Sequence, residues 1–420
     1  MKKNKIVLAT CALFFQFQSL AIAQDSLTIE VMKSSAYNFD IVNGQLNGEG
    51  AVLLEEAIAN AHITMLGNSL NSKLDVDFTN ALFSILNSND YTKMVLEIGG
   101  ISGPILNKLI QKPEIIKELT HLNKKYSWQR NDNTMTPIPN LSYKGSAELI
   151  KKVAENDWSL FAAGIESWAS YKMLVDELFI NLPKNEQKDG AEIYKKTLTL
   201  LDDSYQEVAA INIENLARFM ATIQNSETFI SFLDRMEAYE GNKELIYHFR
   251  KSLDYWEYYA EGNAFAKNEI SIKESSIRLS KSLRANNIDF EKDKFFIKMT
   301  IPHLSKGIAP NGFYGVGSMM AEMTKFHGNN ASLSIGVIPR YYERDGVLED
   351  YLESDLYFLG LFKEIIPLGE KEDWVLLDLR SFNEKFIYSR TTVSRTLRMV
   401  IERYDFIVIP KTDRKAVINH

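Results

Sequence analysis

Short runs in which nearly every residue is apolar alternate along this chain with longer stretches in which apolar residues recur every three or four positions. The first kind reads as strands buried on both faces, the second as helices that cover them. In order they predict a β-rich opening over residues 26–47, a helix over 50–60, a strand over 63–66, a helix over 77–86 and a strand over 93–98. Helical periodicity returns over 104–119. A polar stretch over 124–144, with Pro137 and Pro139, reads as a surface loop, and it leads into a helix over 146–155 and a strand over 159–165. Between 187 and 287 the pattern is helical only, with spacing such as Leu198, Leu201, Tyr205 and Val208. Alternation resumes with strands over 294–299, 332–338, 374–378 and 406–409, and a helix over 319–326. The expectation is an α/β fold, a mainly parallel sheet flanked by helices, with an all-helical insert subdomain. Residues 24–186 and 288–420 would form the two parts of the α/β core, and 187–287 the insert.

The first residues change the picture of where the protein works. Lys2, Lys3 and Lys5 precede an apolar run from Ile6 to Phe15, and Ala21-Ile22-Ala23 stands ahead of Gln24. This order of charged, apolar and small residues predicts a signal peptide removed after Ala23 and a protein exported to the periplasm or beyond it. Gln16 and Gln18 argue against an uncleaved anchor. A lipid carried on Cys11 is disfavoured by Thr10 before it and by the apolar run that continues past it. Cys11 is the single cysteine, so the mature chain would hold no disulfide, thiolate metal site or cysteine nucleophile. Loss of the three lysines takes the formal charge from −7 to −10, which makes nucleic acid an improbable partner. The mature sequence has no apolar run long enough to span a bilayer.

Candidate chemistry gathers at predicted strand ends. Glu97 closes Met94-Val95-Leu96 ahead of Gly99-Gly100, where it would face a cleft; it would equally suit capping of a helix that starts near Gly103. Glu166 closes Ala163-Gly164-Ile165. His303 follows the strand over 294–299 and is the one histidine of six at a predicted carboxyl edge, suited to general-base work or metal binding. Singly, a solvated carboxylate and a loop-holding histidine are the simpler readings. Together, three strand ends presenting Glu97, Glu166 and His303 predict a cleft. Tyr255, Trp256, Tyr258 and Tyr259 suit a ligand wall, but at helical spacing they suit packing better. Asp75 and Asp77 read most simply as acids at a helix start. The segment Leu66-Gly67-Asn68-Ser69-Leu70-Asn71-Ser72 has the layout of an active-site turn, yet none of its side chains titrates near neutral pH.

These segments together resemble the erythromycin-esterase-like superfamily, whose wider relatives include haem-binding iron-regulated lipoproteins and Tiki-type metalloproteases. The resemblance runs from about Gly44 to Ile409. It is carried by Ala61 to Gly67, Val95-Leu96-Glu97, Ala163 to Glu166, Ser276-Ile277-Arg278, Phe296 to Leu304, Gly315-Val316-Gly317 and Leu377 to Arg380. It implies a cleft in which a Glu and a His from the first turn work with a second Glu and a late His. Glu97 and His303 match the latter two. Asn68 stands where the first Glu would be, and Leu70 or Asn71 where the His would be. Arg278 matches the start of an Arg-Glu motif whose acid is replaced by Leu279. The resemblance thus implies a degenerate member in which Glu97, His303 and Glu166 are the catalytic candidates and Asn68, Asn71 and Arg278 the binding ones. Its ligand would be a small or extended molecule in the cleft, and no cofactor is called for. The competing expectations are an active ester or lactone hydrolase with a rearranged Glu/His site, and haem or metal binding. A Tiki-type site needs glycine where Thr300 stands, and a haem needs an axial ligand such as His303 or a cleft tyrosine.

Overall fold

The computed structural model describes residues 30–68, 72–130, 133–207, 213–309, 312–326, 331–344, 346–353, 360–382, 384 and 393–414. The signal segment and Asn71 lie outside them. The strands are β1 Ala36–Val42, β2 Gln45–Asn47, β3 Ala61–Asn68, β4 Tyr91–Leu96, β5 Trp128–Arg130, β6 Asn133–Met135, β7 Ser159–Ala162, β8 Lys294–Thr300, β9 Ala331–Val337, β10 Tyr341–Arg344, β11 Val347–Asp350, β12 Trp374–Asp378, β13 Phe406–Ile409 and β14 Asp413–Arg414. Nine of them form one sheet in the order β2-β1-β12-β13-β9-β3-β8-β4-β7. Only β2 and β12 run against the rest, so the sheet is mostly parallel and the fold is α/β. The register is what matters for function. Asn68 pairs with Thr300, Leu96 with Lys298 and also with Ala162, so β3, β8, β4 and β7 end nearly level.

Alternation along these strands divides the core. Leu66, Met94, Leu96 and Phe296 face one side, under the helices Glu49–Ala59, Lys73–Ser88 and Lys144–Glu155. Ile63, Met65, Val95 and Ile297 face the other, under Leu279, Leu283, Val316 and Met320 of the helices Ala264–Ala285 and Val316–Phe326. Between Lys184 and Ala285 the described elements are all helical, five α-helices and a short 3₁₀ turn, Glu240–Asn242. An aromatic group of Trp128, Trp168, Tyr205 and Phe219 ties them to the α/β part, with Trp128 and Tyr205 rings 4.8 Å apart. Trp128 also donates its indole N–H to the Ala169 carbonyl at 2.7 Å, which satisfies a polar group that is otherwise buried.

Several boundaries differ from the periodicity. The single helix expected over 104–119 is two, Ser102–Leu109 and Ile115–Tyr126. Pro113 between them has no amide hydrogen and disfavours helical backbone at Lys112. The second helix and the β5–β6 hairpin occupy part of the stretch expected as loop. The helix expected from Asp77 begins at Lys73, because the Ser72 hydroxyl accepts from the Asp75 amide at 2.8 Å and so caps the first turn.

Phe78 on that helix is fully buried between Phe39 of β1 and Trp374 of β12, with ring centroids 6.0 and 5.8 Å away. Phe78→Ala is expected to cost about 3–5 kcal/mol, since it opens a cavity where three elements meet. A denaturant midpoint unchanged from wild type would refute that placement.

Candidate functional site

The level strand ends deliver their side chains to one edge of the sheet. β8 runs into a turn of 3₁₀ helix, Ile301–Leu304, that carries His303. Gly67 of β3 makes this turn possible: a β-carbon there would come within 2.8 Å of the Ile301 backbone. Glu97, the residue after β4, accepts from the Thr300 amide at 2.6 Å and from the Thr300 hydroxyl at 3.3 Å. The same carboxylate lies 3.5 Å from His303 Nε2. The two residues are therefore one unit, a carboxylate fixed by the neighbouring strand and an imidazole beside it. Glu97 serves the cleft and does not cap the helix near Gly103.

Glu166 performs that capping. Its buried carboxylate accepts from the amides of Ile101 and Ser102, at 2.5 and 3.0 Å, and from the Ser102 hydroxyl at 2.5 Å. These are amides at the start of the helix Ser102–Leu109, which has no cap from its own N-cap residue. Gly99 provides the room, because a β-carbon there would sit 2.0 Å from the Glu166 carboxyl carbon. The Glu166 carbonyl accepts from the Trp256 indole at 2.7 Å, which pins the helical wall of the cleft to the sheet edge.

Asn68, at the end of β3, donates its side-chain amide to Asp75, and Lys298 Nζ lies 3.2 Å from the same Asp75 oxygen. Asp75 is buried, so a cluster of carboxylate, ammonium and amide lies beside the end of β3. Ser72 donates to Asp413, whose carboxyl is pushed up by burial and pulled back by Ser72 and the Leu74 amide.

Asn68, Glu97, Glu166 and His303 all line one cavity of about 530 Å³. Tyr255, Trp256 and Lys267 form its helical wall. The Lys267 ammonium lies over the Tyr259 ring at 4.6 Å and is shifted down by burial. The Tyr255 phenol is pushed up, first by burial and then by the Glu97 charge. Helical spacing suits packing for Tyr255 and Trp256, but spacing alone does not say which face of a helix looks into a cleft. Lys298 carried a clearer signal, a lysine inside an otherwise apolar strand.

Arg278 lies in a different place. It lines a separate cavity of about 710 Å³ with His248, donates to the Gly164 carbonyl and has Nη2 3.1 Å from His248 Nδ1. Burial and the Arg278 and Lys281 charges hold His248 down at about 4. Among the described residues no group of three or more His, Cys, Asp and Glu is placed to hold a metal ion, and no helix is long and apolar enough to cross a membrane.

A mostly parallel sheet with polar side chains at the carboxyl ends of adjacent strands, roofed by helices, defines an α/β fold with a cleft at that edge. No family model and no curated protein matches the sequence. Among solved structures it is similar to a His-to-Asn variant of the erythromycin esterase EreC in its open conformation, at 13% identity and a TM-score of 0.52, over 91% of this chain and 98% of that one. A succinoglycan biosynthesis protein matches at 14% identity and 0.48, over 94% and 98%, and a Bacillus cereus protein at 15% and 0.48, over 93% and 99%. The likeness to EreC shows a distant erythromycin-esterase-like fold.

Two outcomes follow from these contacts. Lys298→Met leaves Asp75 buried without its cation and is expected to cost about 3–5 kcal/mol, with much of that recovered in the Lys298→Met/Asp75→Asn double variant. Equal costs for the single and double variants in urea titrations would contradict the pairing. For His248, the unfolded chain takes up a proton near 6.5 and the folded chain only near about 4. Between these values the unfolded state binds more protons, so stability rises with pH; acidification from pH 7 to 5 should remove roughly 2 kcal/mol through this residue. His248→Gln should flatten that part of the stability profile, and an unaltered profile would contradict it.

Proposed function

We propose that this is an exported, degenerate protein on an erythromycin-esterase-like scaffold that binds a small or extended organic ligand in its cleft, with weak or no hydrolysis of esters and lactones. Export rests on the sequence of Lys2 through Ala23. The observation that carries the reading of the cleft is Asn68. It occupies the position where the resemblance expects a carboxylate, and its amide is bonded to Asp75 beneath it. An amide neither accepts nor releases a proton near neutral pH, so it can neither act as a water-activating base nor supply the negative charge that steadies a protonated one. Loss of such a base typically lowers rates by about two to four orders of magnitude. Glu166 faces the cleft but its carboxylate is engaged by the helix start.

A second reading, hydrolysis by a rearranged site, is favoured by one observation: the Glu97 carboxylate stands 3.5 Å from His303 Nε2, the arrangement of a base and the group that orients it. Steady-state assays with p-nitrophenyl acetate and a macrolide lactone separate the two. The binding reading expects turnover at background level in wild type, unchanged by His303→Ala and unchanged by Asn68→Glu alone. Wild-type turnover that drops about a hundred-fold or more in His303→Ala would replace it with the second reading.

A further inference from the structure

The nine-stranded sheet ends at β7, which pairs with β4 on one side and with no strand on the other. All four of its residues, Ser159–Ala162, line the cavity of about 710 Å³. Successive side chains of a strand point to opposite faces, so a space bordered by all of them lies along the strand's open edge. Its walls come from the helices on the two faces, with Pro104 and Asn107 of Ser102–Leu109 on one side and Ile277 and Lys281 of Ala264–Ala285 on the other. The groove lies where a further strand would.

The backbone along this edge is open. Ala163 donates its amide to the Leu96 carbonyl at 2.8 Å, and a parallel ladder engages alternate residues, so Phe161 also turns to β4 while Leu160 and Ala162 turn outward. Side chains reach the outward row at two points. Asn107 donates to the Leu160 carbonyl at 3.3 Å, and Arg278 donates to the Gly164 carbonyl. The Leu160 and Ala162 amides and the Ala162 carbonyl have no partner among the described residues. Unpaired groups in a row along an edge are a template for another strand.

At the carboxyl end of β7 the groove is closed and basic. A β-carbon on Gly100 would come within 2.7 Å of Arg278 Nε and 2.8 Å of His248 Cδ2, so the chain packs directly on both side chains. Arg278 is 8% exposed, pairs with no carboxylate among the described residues and has an Nε–H without an acceptor. The Glu166 and Glu274 charges reach it from further off, and these carboxylates accept from the Ile101 amide and, at 2.8 Å, from the Tyr247 hydroxyl. A guanidinium only donates, so its contact with His248 Nδ1 at 3.1 Å makes that nitrogen the acceptor and places the imidazole proton on Nε2. Glu244 Oε1 is 3.9 Å from Nε2, beyond hydrogen-bond reach, on a side chain that is 76% exposed. Lys281 adds a second cation one turn beyond Arg278, and Asp157 lies at the other end of the groove, next to Ser159.

We propose that this groove takes an extended peptide that ends in a free carboxylate, added beside β7 as a parallel strand with its carboxylate at Arg278 and His248. The site is separate from the cleft and does not depend on how the cleft is read. Four peptide residues span about 13 Å, the length of β7. Main-chain bonds to Leu160 and Ala162 hold them, and the closed end selects a chain terminus. The carboxylate supplies the counter-charge that the buried guanidinium lacks.

Fluorescence anisotropy with the N-terminally labelled peptides Thr-Val-Thr-Val and Val-Thr-Val-Thr, whose β-branched residues favour extended backbone, tests this on the wild-type protein. At least one peptide should bind, and replacing its terminal carboxylate by an amide should weaken binding roughly ten-fold or more. Methylating its backbone nitrogens at alternate positions should weaken binding in one phase and leave it within about three-fold in the other, since only alternate amides face β7. Hydrogen–deuterium exchange should slow at Leu160 and Ala162 in the complex. No binding of either peptide, equal affinity for acid and amide, equal loss in both methylation phases, or unchanged exchange along β7 overturns the proposal, and none of these results bears on the cleft.

Discussion

The parallel register of β3, β8 and β4 is the constraint on which the site depends. Pairing Asn68 with Thr300 and Leu96 with Lys298 brings Glu97 beside the last residue of β8. From there the Thr300 amide and hydroxyl hold its carboxylate and the next turn carries His303 to it. Parallel strands have a side-chain period of two, so a one-residue slip would send Glu97 or Thr300 to the opposite face and dissolve the pair. The glycines follow from the same closeness. Gly67 admits the turn that bears His303, and Gly99 admits the Glu166 carboxylate.

The carboxylates near this edge have diverging roles because their partners differ. Glu166 bonds amides at a helix start, Asp75 an ammonium and an amide beside the end of β3, and Glu97 bonds Thr300 of the neighbouring strand and stands beside an imidazole. Buried charge is tolerated where it is paired and bonded; Glu166 meets that condition at both oxygens, and Asp75 meets it at Oδ2 alone, its Oδ1 being buried without a hydrogen-bond partner. Glu97 and His303 are left facing the cleft. Acids at one sheet edge can thus have their carboxylates engaged in holding the fold together.

The sheet was legible in the sequence because strands buried on both faces are continuous apolar runs, and the edge was legible because Glu97, Glu166 and His303 each follow such a run. Which of two acids caps the helix Ser102–Leu109 was not, since it turns on Gly99 leaving space for a side chain 67 residues further along the chain. The cluster of Asn68, Asp75 and Lys298 joins three elements and leaves only the lysine as a local trace. Tyr255 and Trp256 read as packing because helical spacing defines a face but not what it meets. Arg278 matches only the start of its motif in sequence, and its guanidinium reaches the Gly164 carbonyl and His248 beside a separate cavity.

The most direct test follows the imidazole and the ligand in one sample. With histidine-selective labelling, the six histidines of the chain are few enough to resolve by NMR, and His303→Asn assigns the resonance. The account predicts that adding a simple carboxylic ester shifts the His303 signal while the ester's own signals persist for hours. Decay of the ester to acid and alcohol in wild type but not in His303→Asn, or a His303 signal that does not respond to the ester, would contradict it.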